Sequence, residues 1–216
     1  MLFRSGEVNH GDRAKPLQQL LRRHGAYTPP YEMSALQMKQ AIRDDHDVVR
    51  HEEFLGNAIR LRDAELLKLC LDSDPTVPNR LDCRDVITYP RPPALVRKLL
   101  ARGLDPNRTD WLGKTFLHVC AEIGDRSTAA VLLEAGADIN ARDHEFQATP
   151  LAAAVRAYSD ADPKRAERTR RMVEFLLKRG AATNLPGDEP WATPLAWAAR
   201  HRHGEIVDLL KQHGAT

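Results

Sequence analysis

The 216 residues carry 32 basic and 30 acidic side chains, a formal net charge of +2, and only 6% of them are aromatic. That balance argues against a nucleic-acid or membrane-surface protein, and no apolar run reaches the ~20 residues that a membrane-spanning helix needs. Three cysteines (Cys70, Cys83 and Cys120) without Cys-x-x-Cys spacing suit a reducing compartment better than a disulfide framework, so a cytoplasmic protein is expected.

In chain order, residues 1–5 (Met-Leu-Phe-Arg-Ser) read as a non-native start, joined to a chain whose natural beginning lies further upstream. Residues 6–51 read as the end of a truncated structural unit plus an extra helix. Leu17, Leu20 and Leu21 ahead of Gly25-Ala26 form a second helix, Thr28-Pro29-Pro30 breaks the chain, and residues 31–51 supply the added helix or the first helix of an irregular unit. His46 and His51 lie among acids, but five residues apart on a helix they face different ways, so a solvated helix end is expected and no metal site. Residues 54–74 align with the segment from Pro194 at an offset of 140, where Ala58, Arg60 and Glu65 match Ala198, Arg200 and Glu205. Asp72-Ser73-Asp74-Pro75 then stands where a glycine turn is used elsewhere. Residues 81–91 lack a full first helix, and Pro92-Pro93 opens a second one.

From residue 92 onward the chain repeats itself. Leu99–Asn107, Leu132–Asn140 and Leu176–Asn184 are variants of one nine-residue ending, and the last copy stops at Gly214-Ala215-Thr216. Gly103 and Gly136 are 33 residues apart and Gly180 and Gly214 are 34 apart, but the step from Gly136 to Gly180 is 44. Thr115-Phe116-Leu117-His118, Thr149-Pro150-Leu151-Ala152 and Thr193-Pro194-Leu195-Ala196 keep the same phase. Each threonine is placed to cap a helix, and Pro150 and Pro194 follow at the first helical position, where a missing N–H costs nothing. Small alanines permit close approach on the first helix. Val131, Leu132 and Leu133, or Ile206, Val207, Leu209 and Leu210, give the second helix its apolar face. The glycines end that helix left-handed. The long step is read as an insertion at Tyr158–Thr169, a surface turn between the two helices of one unit.

These two markers in fixed phase resemble the ankyrin-repeat family, closely over 92–216 and loosely over 52–91. The resemblance implies an all-α fold: an ankyrin-repeat solenoid of stacked helix-turn-helix units with short β-hairpin-like fingers, its N-terminal units irregular, over residues 52–216. It also implies a structural role for His118, whose ring bonds backbone or hydroxyl groups between repeats. The family commonly has glycine where this chain has Gln147, Trp191 and Arg202.

The search for chemistry ends without a catalytic, cofactor-binding or metal-binding residue. Cys120 and His118 are two apart and point away from each other on a helix, and no phosphate-binding or nucleophile motif occurs. The basic run Lys164–Arg171 lacks interleaved aromatics and is diluted by Asp160, Asp162 and Glu167; it reads as a solvated loop and helix start, with contact to a partner as the alternative and nucleic acid behind it. The expected function is therefore non-catalytic: a monomeric scaffold that binds a partner protein, and neither nucleic acid nor membrane, through the concave finger and first-helix surface. Carrying the family's partner-binding positions over puts Trp111, Leu112, Lys114, Glu122 and Ile123 in that surface. The next unit adds Arg142, His144, Glu145, Phe146 and Arg156, and the last adds Glu189, Trp191, Arg200 and His201. The competing expectation is the ankyrin portion of a larger enzyme or effector whose catalytic domain lies upstream.

Overall fold

The computed structural model describes residues 33–44, 52–74, 76–80, 93–159 and 161–216. The expectations for residues 1–5, the helix at Pro16–Ala26, His46, His51 and the segment 81–91 lie outside these. The chain divides into two compact units, Met1–Leu81 and Asp82–Thr216.

In the first unit, α1 (Ala35–Asp44) packs on the hairpin of α2 (Glu52–Leu61) and α3 (Ala64–Ser73), followed by a short 3-10 turn at Val77–Arg80. Of the segment 31–51, α1 takes up residues 35–44. Ser34 and Gln37 start it with a capping box: the Gln37 N–H donates to Ser34 Oγ (3.3 Å), and the Ser34 N–H donates to Gln37 Oε1 (2.9 Å). Met38 and Ile42 on α1 meet Phe54, Leu55, Leu66 and Leu71 in a buried core. Lys39 reaches Asp63 (2.9 Å) and Glu65 (2.7 Å), fastening α1 to the α2–α3 turn.

The 140-residue offset survives at backbone level. Arg62 takes a left-handed conformation (φ 55°) and Arg202 does the same (φ 58°). The Asp63 N–H donates to the Ala58 carbonyl (3.3 Å), and the His203 N–H donates to the Ala198 carbonyl (3.0 Å). Gly124 occupies the equivalent turn with φ 74°.

The second unit is a stack of two helical layers. Its elements are α4 (Pro93–Leu100), α5 (Phe116–Ile123), α6 (Arg126–Glu134), α7 (Pro150–Ala157), α8 (Pro163–Lys178), α9 (Pro194–Arg200) and α10 (Gly204–Gln212). The first helices α5, α7 and α9 pack side by side, and the second helices α4, α6, α8 and α10 lie behind them. Buried Leu117, Leu132, Leu151, Leu176, Ile206 and Leu210 fill the space between layers. Ala152, Ala153 and Ala154 are also buried, so α7 lies close to both neighbours.

Local chemistry sets the helix limits. Thr149 Oγ1 accepts from the Ala152 N–H (3.3 Å) and Thr193 Oγ1 from the Ala196 N–H (3.1 Å), each with proline next in line. At the other end Gly103, Gly136, Gly180 and Gly214 have φ between 87° and 90°. The residue after each sends its N–H five residues back, to the carbonyls of Leu99, Leu132, Leu176 and Leu210 at 2.9–3.1 Å. This bond closes the helix and turns the chain out.

An asparagine ladder ties successive units. Asn107 Nδ2 donates to the Gly136 carbonyl (3.0 Å), and its Oδ1 accepts from the Asp138 N–H (2.6 Å). Asn140 Oδ1 accepts from the Ala182 N–H (2.9 Å), and Asn184 Nδ2 reaches the Gly214 carbonyl at 3.5 Å. Each unit therefore supplies the partner for the next unit's turn.

The insertion differs from expectation. Helix resumes at Pro163, so the basic run Lys164–Arg171 is helical throughout. Asp162 Oδ1 accepts from the Lys164 (3.0 Å) and Arg165 (3.2 Å) N–H groups, with Pro163 at the first helical position. Glu167 bonds Arg170 (2.9 Å) and Arg171 (2.5 Å) one turn on, and Arg170 also pairs with Glu174. The same cap signal that opens the repeat helices starts this one early. α8 has 16 residues against 9 in α6 and α10.

Candidate functional site

Each finger is held by an aspartate that folds the backbone around its carboxylate. Asp110 Oδ1 accepts from the Leu112 and Lys114 N–H groups (2.9 Å each), and an isolated antiparallel bridge joins Thr109 to Thr115. Asp143 Oδ1 accepts from Phe146 (2.7 Å) and Ala148 (3.3 Å), and Asp188 Oδ2 from Leu185 (2.6 Å). The hairpin-like fingers are thus turns, and among the described residues that single bridge is their only β pairing. Gln147 takes the left-handed conformation (φ 51°) that a glycine would adopt more cheaply.

The fingers lock to one another. The His144 N–H donates to the Leu112 carbonyl (2.7 Å), and the His144 ring lies where a Cβ on Gly113 would stand, 2.7 Å away. Arg142 donates to the Pro186 carbonyl (3.1 Å) and to Asp188 Oδ1 (2.5 Å), bridging the second finger to the third. His118 joins a finger to a helix. Its Nδ1 accepts from the Thr115 N–H (3.1 Å) and lies 2.9 Å from the Thr115 hydroxyl, and Nε2 lies 2.9 Å from the Ala148 carbonyl. A carbonyl only accepts, so the neutral ring carries its proton on Nε2. Burial holds this imidazole below its ordinary pKa, against the pull of the Ala148 bond and the Asp143 charge. The expected bond between repeats is therefore present.

On this scaffold the sequence-derived candidates fall into two groups. Lys114 is buried and paired with Glu122 (2.8 Å), beside half-buried Ile123 at the end of α5, while Arg142 and the backbones of Leu112 and His144 are spent on finger-to-finger bonds. These residues shape the surface. Trp111 is 80% exposed and Trp191 41%, and Glu145, Glu189, Arg200 and His201 are exposed too.

The structure gathers Phe146, Arg156, Arg200 and His201 around a residue that sequence reading passed over, Trp197. The Arg156 guanidinium lies 3.6 Å from the Phe146 ring centroid and 4.8 Å from that of Trp197, whose rings meet edge-on at 5.9 Å. Arg200 lies 4.8 Å from the Trp197 centroid on its own helix. His201 stacks parallel to Trp197 at 6.0 Å and to His203 at 5.7 Å, and Tyr158 closes the row edge-on against His203 at 4.6 Å. Trp197 is buried, yet its Nε1 makes no hydrogen bond. The available signal was its size: a tryptophan where the equivalent first-helix positions hold Val119 and Ala153.

The cluster offers planar cations and aromatic faces, the chemistry of recognition hot spots. Among the described residues no group of three or more His, Cys, Asp or Glu converges as a metal site, and no helix is long and apolar enough to cross a membrane.

Comparison with known proteins agrees with this geometry. The ankyrin repeat family model matches residues 112–144 and 192–216. The Neurogenic locus Notch protein of Drosophila melanogaster is 37% identical over 119 residues, covering 54% of this chain and 4% of that protein. An ankyrin repeat protein of Rickettsia bellii is 31% identical over 121 residues, 56% of this chain and 33% of its own length. Subunit beta-2 of the mouse GA-binding protein is 53% identical over 47 residues, 22% of this chain and 11% of that protein. The chain thus spans a third or less of the length of these relatives.

Proposed function

As the chain is a member of the ankyrin-repeat family, we propose that it is a non-catalytic module that takes a partner protein on the fingers and first helices of its last repeats. The observation that carries this reading is the cluster of Phe146, Arg156, Trp197, Arg200 and His201. It is built from two neighbouring repeats, so the stack holds its side chains in place before any partner arrives, and little ordering entropy is lost on binding. A buried indole N–H without an acceptor costs ~1–3 kcal/mol. A partner carbonyl reaching Trp197 Nε1 as Arg200 or His201 swings aside would recover that cost. Exposed Trp111 and Trp191 extend the surface along the fingers. The candidate residues Leu112, Lys114, Glu122, Ile123, Arg142, His144, Glu145 and Glu189 complete its frame and rim. The partner is a protein, and the module works as a monomer in the cytoplasm.

The test pairs affinity capture of a partner with the doubly substituted Trp111→Ala/Trp191→Ala chain and, separately, Arg156→Ala. Loss of the same partner from both, with helical circular dichroism intact, supports the surface. Full retention by both removes it.

A further inference from the structure

The helical insertion builds a second surface at the opposite end of α5 from its finger. In register with α6 and α10, α8 would begin at Arg170; residues 163–169 are therefore an addition of about two turns, roughly 10 Å of helix. Residues 163–168 bury no side chain in the stack, and the first buried one in α8 is Thr169. The added turns face the α5–α6 turn across a groove of about 600 Å³, lined by Gly124–Ser127 on one side and by Pro163, Lys164, Glu167, Arg168 and Arg171 on the other. A Cβ on Gly124 would come within 2.7 Å of the Arg168 Cγ. The arginine stem therefore crosses directly over the turn.

Charge in this groove leans positive, with Arg126, Lys164, Arg168 and Arg171 against Asp125 and Glu167. Arg126, Lys164 and Arg168 make no ion pair among the described residues, whereas Arg171 is paired with Glu167. Asp125 caps α6 through the Thr128 N–H (3.0 Å). The N-termini of α6 and α8, both positive dipole ends, border the same space. In a chain of net charge +2 this is a local concentration of uncompensated cations.

We propose that the groove is a second docking surface, for an extended acidic segment of a partner protein. Spaced carboxylates complement two arginine forks and a lysine. A nucleic-acid strand fits less well, because the lining contains no aromatic ring for base stacking. The surface is separate from the concave cluster, so the two can be tested apart.

The probe is a fluorescein-labelled twelve-residue peptide of alternating Glu and Ser, titrated with the full chain and read by fluorescence anisotropy at low and physiological salt. Binding is expected, weakening as salt rises. The Arg126→Glu/Lys164→Glu/Arg168→Glu chain should bind about tenfold more weakly or worse. Arg97→Glu/Lys98→Glu/Lys178→Glu, with the same change in net charge at exposed positions elsewhere, should stay near the parent. The milder Lys164→Gln and Arg168→Gln chains should lie between, which guards against a misfolded triple variant. Trp111→Ala/Trp191→Ala should leave peptide affinity unchanged even if it abolishes partner capture. Absence of binding by the parent chain overturns the proposal, as does equal loss in the control triple. Tighter binding of a twelve-nucleotide oligothymidylate, lost in the groove variant, would replace it with a nucleic-acid site.

Discussion

His118 should act as a pH-dependent clasp between two repeats. It is completely buried and holds the Thr115 N–H on Nδ1 and the Ala148 carbonyl through Nε2. Replacing it with alanine strands both backbone groups, at ~1–3 kcal/mol each, and leaves a ring-sized void. The expected loss is about 3–5 kcal/mol. Protonation attacks the same point, since a proton on Nδ1 faces the Thr115 N–H donor. The folded pKa lies below the ordinary 6.5, mainly through burial. Between the two values the unfolded chain binds more protons than the folded one, so stability rises with pH. The contribution is fully present above about pH 6.5 and drains away as pH falls toward the folded value, with a slope of at most ~1.4 kcal/mol per pH unit. Urea denaturation of the parent and of His118→Ala at half-unit steps from pH 7.5 to 5 measures both effects. The difference between the two curves should shrink on acidification, other groups cancelling. Parallel curves across that range would refute the clasp.

Arg202→Gly should raise the melting midpoint, worth about 0.5–1 kcal/mol, because it removes a non-glycine left-handed residue from the α9–α10 turn. Gly113→Ala should cost about 1–3 kcal/mol in the same assay, since φ is 75° there and the new Cβ would strike the His144 ring. Asn140→Ala should cost about 1 kcal/mol, through the lost acceptor of the Ala182 N–H. Burial pushes the Cys70 thiol up to about 12, and Cys120 is also buried. A Cys83→Ser chain should therefore react with a thiol reagent only once denaturant is added.

Much of this molecule is legible in the sequence because the signals are local. Thr149-Pro150, Thr193-Pro194 and the glycines at 103, 136, 180 and 214 decide their helix ends within five residues, through caps and left-handed turns. Repetition then determines the stack, since a helix pair with one apolar face must bury it on a copy of itself. The insertion was locally legible too, in Asp162-Pro163 and the Glu167–Arg171 spacing, but its length was read as turn and the helical signal went unused.

What only the tertiary structure decided spans repeats. Asn140 bonds a backbone group 42 residues away and Arg142 a carboxylate 46 away. Among residues that all looked exposed, Lys114 and Arg142 went to internal bonds, while Phe146 and Arg156 closed over Trp197. The physical reason is that a cap or a turn is satisfied by its own neighbours, whereas a side chain on a stacked surface is satisfied by whatever the next unit brings opposite it. That depends on repeat-to-repeat register and on the rotamers the packing allows, quantities set by the whole array and not by any nine-residue motif.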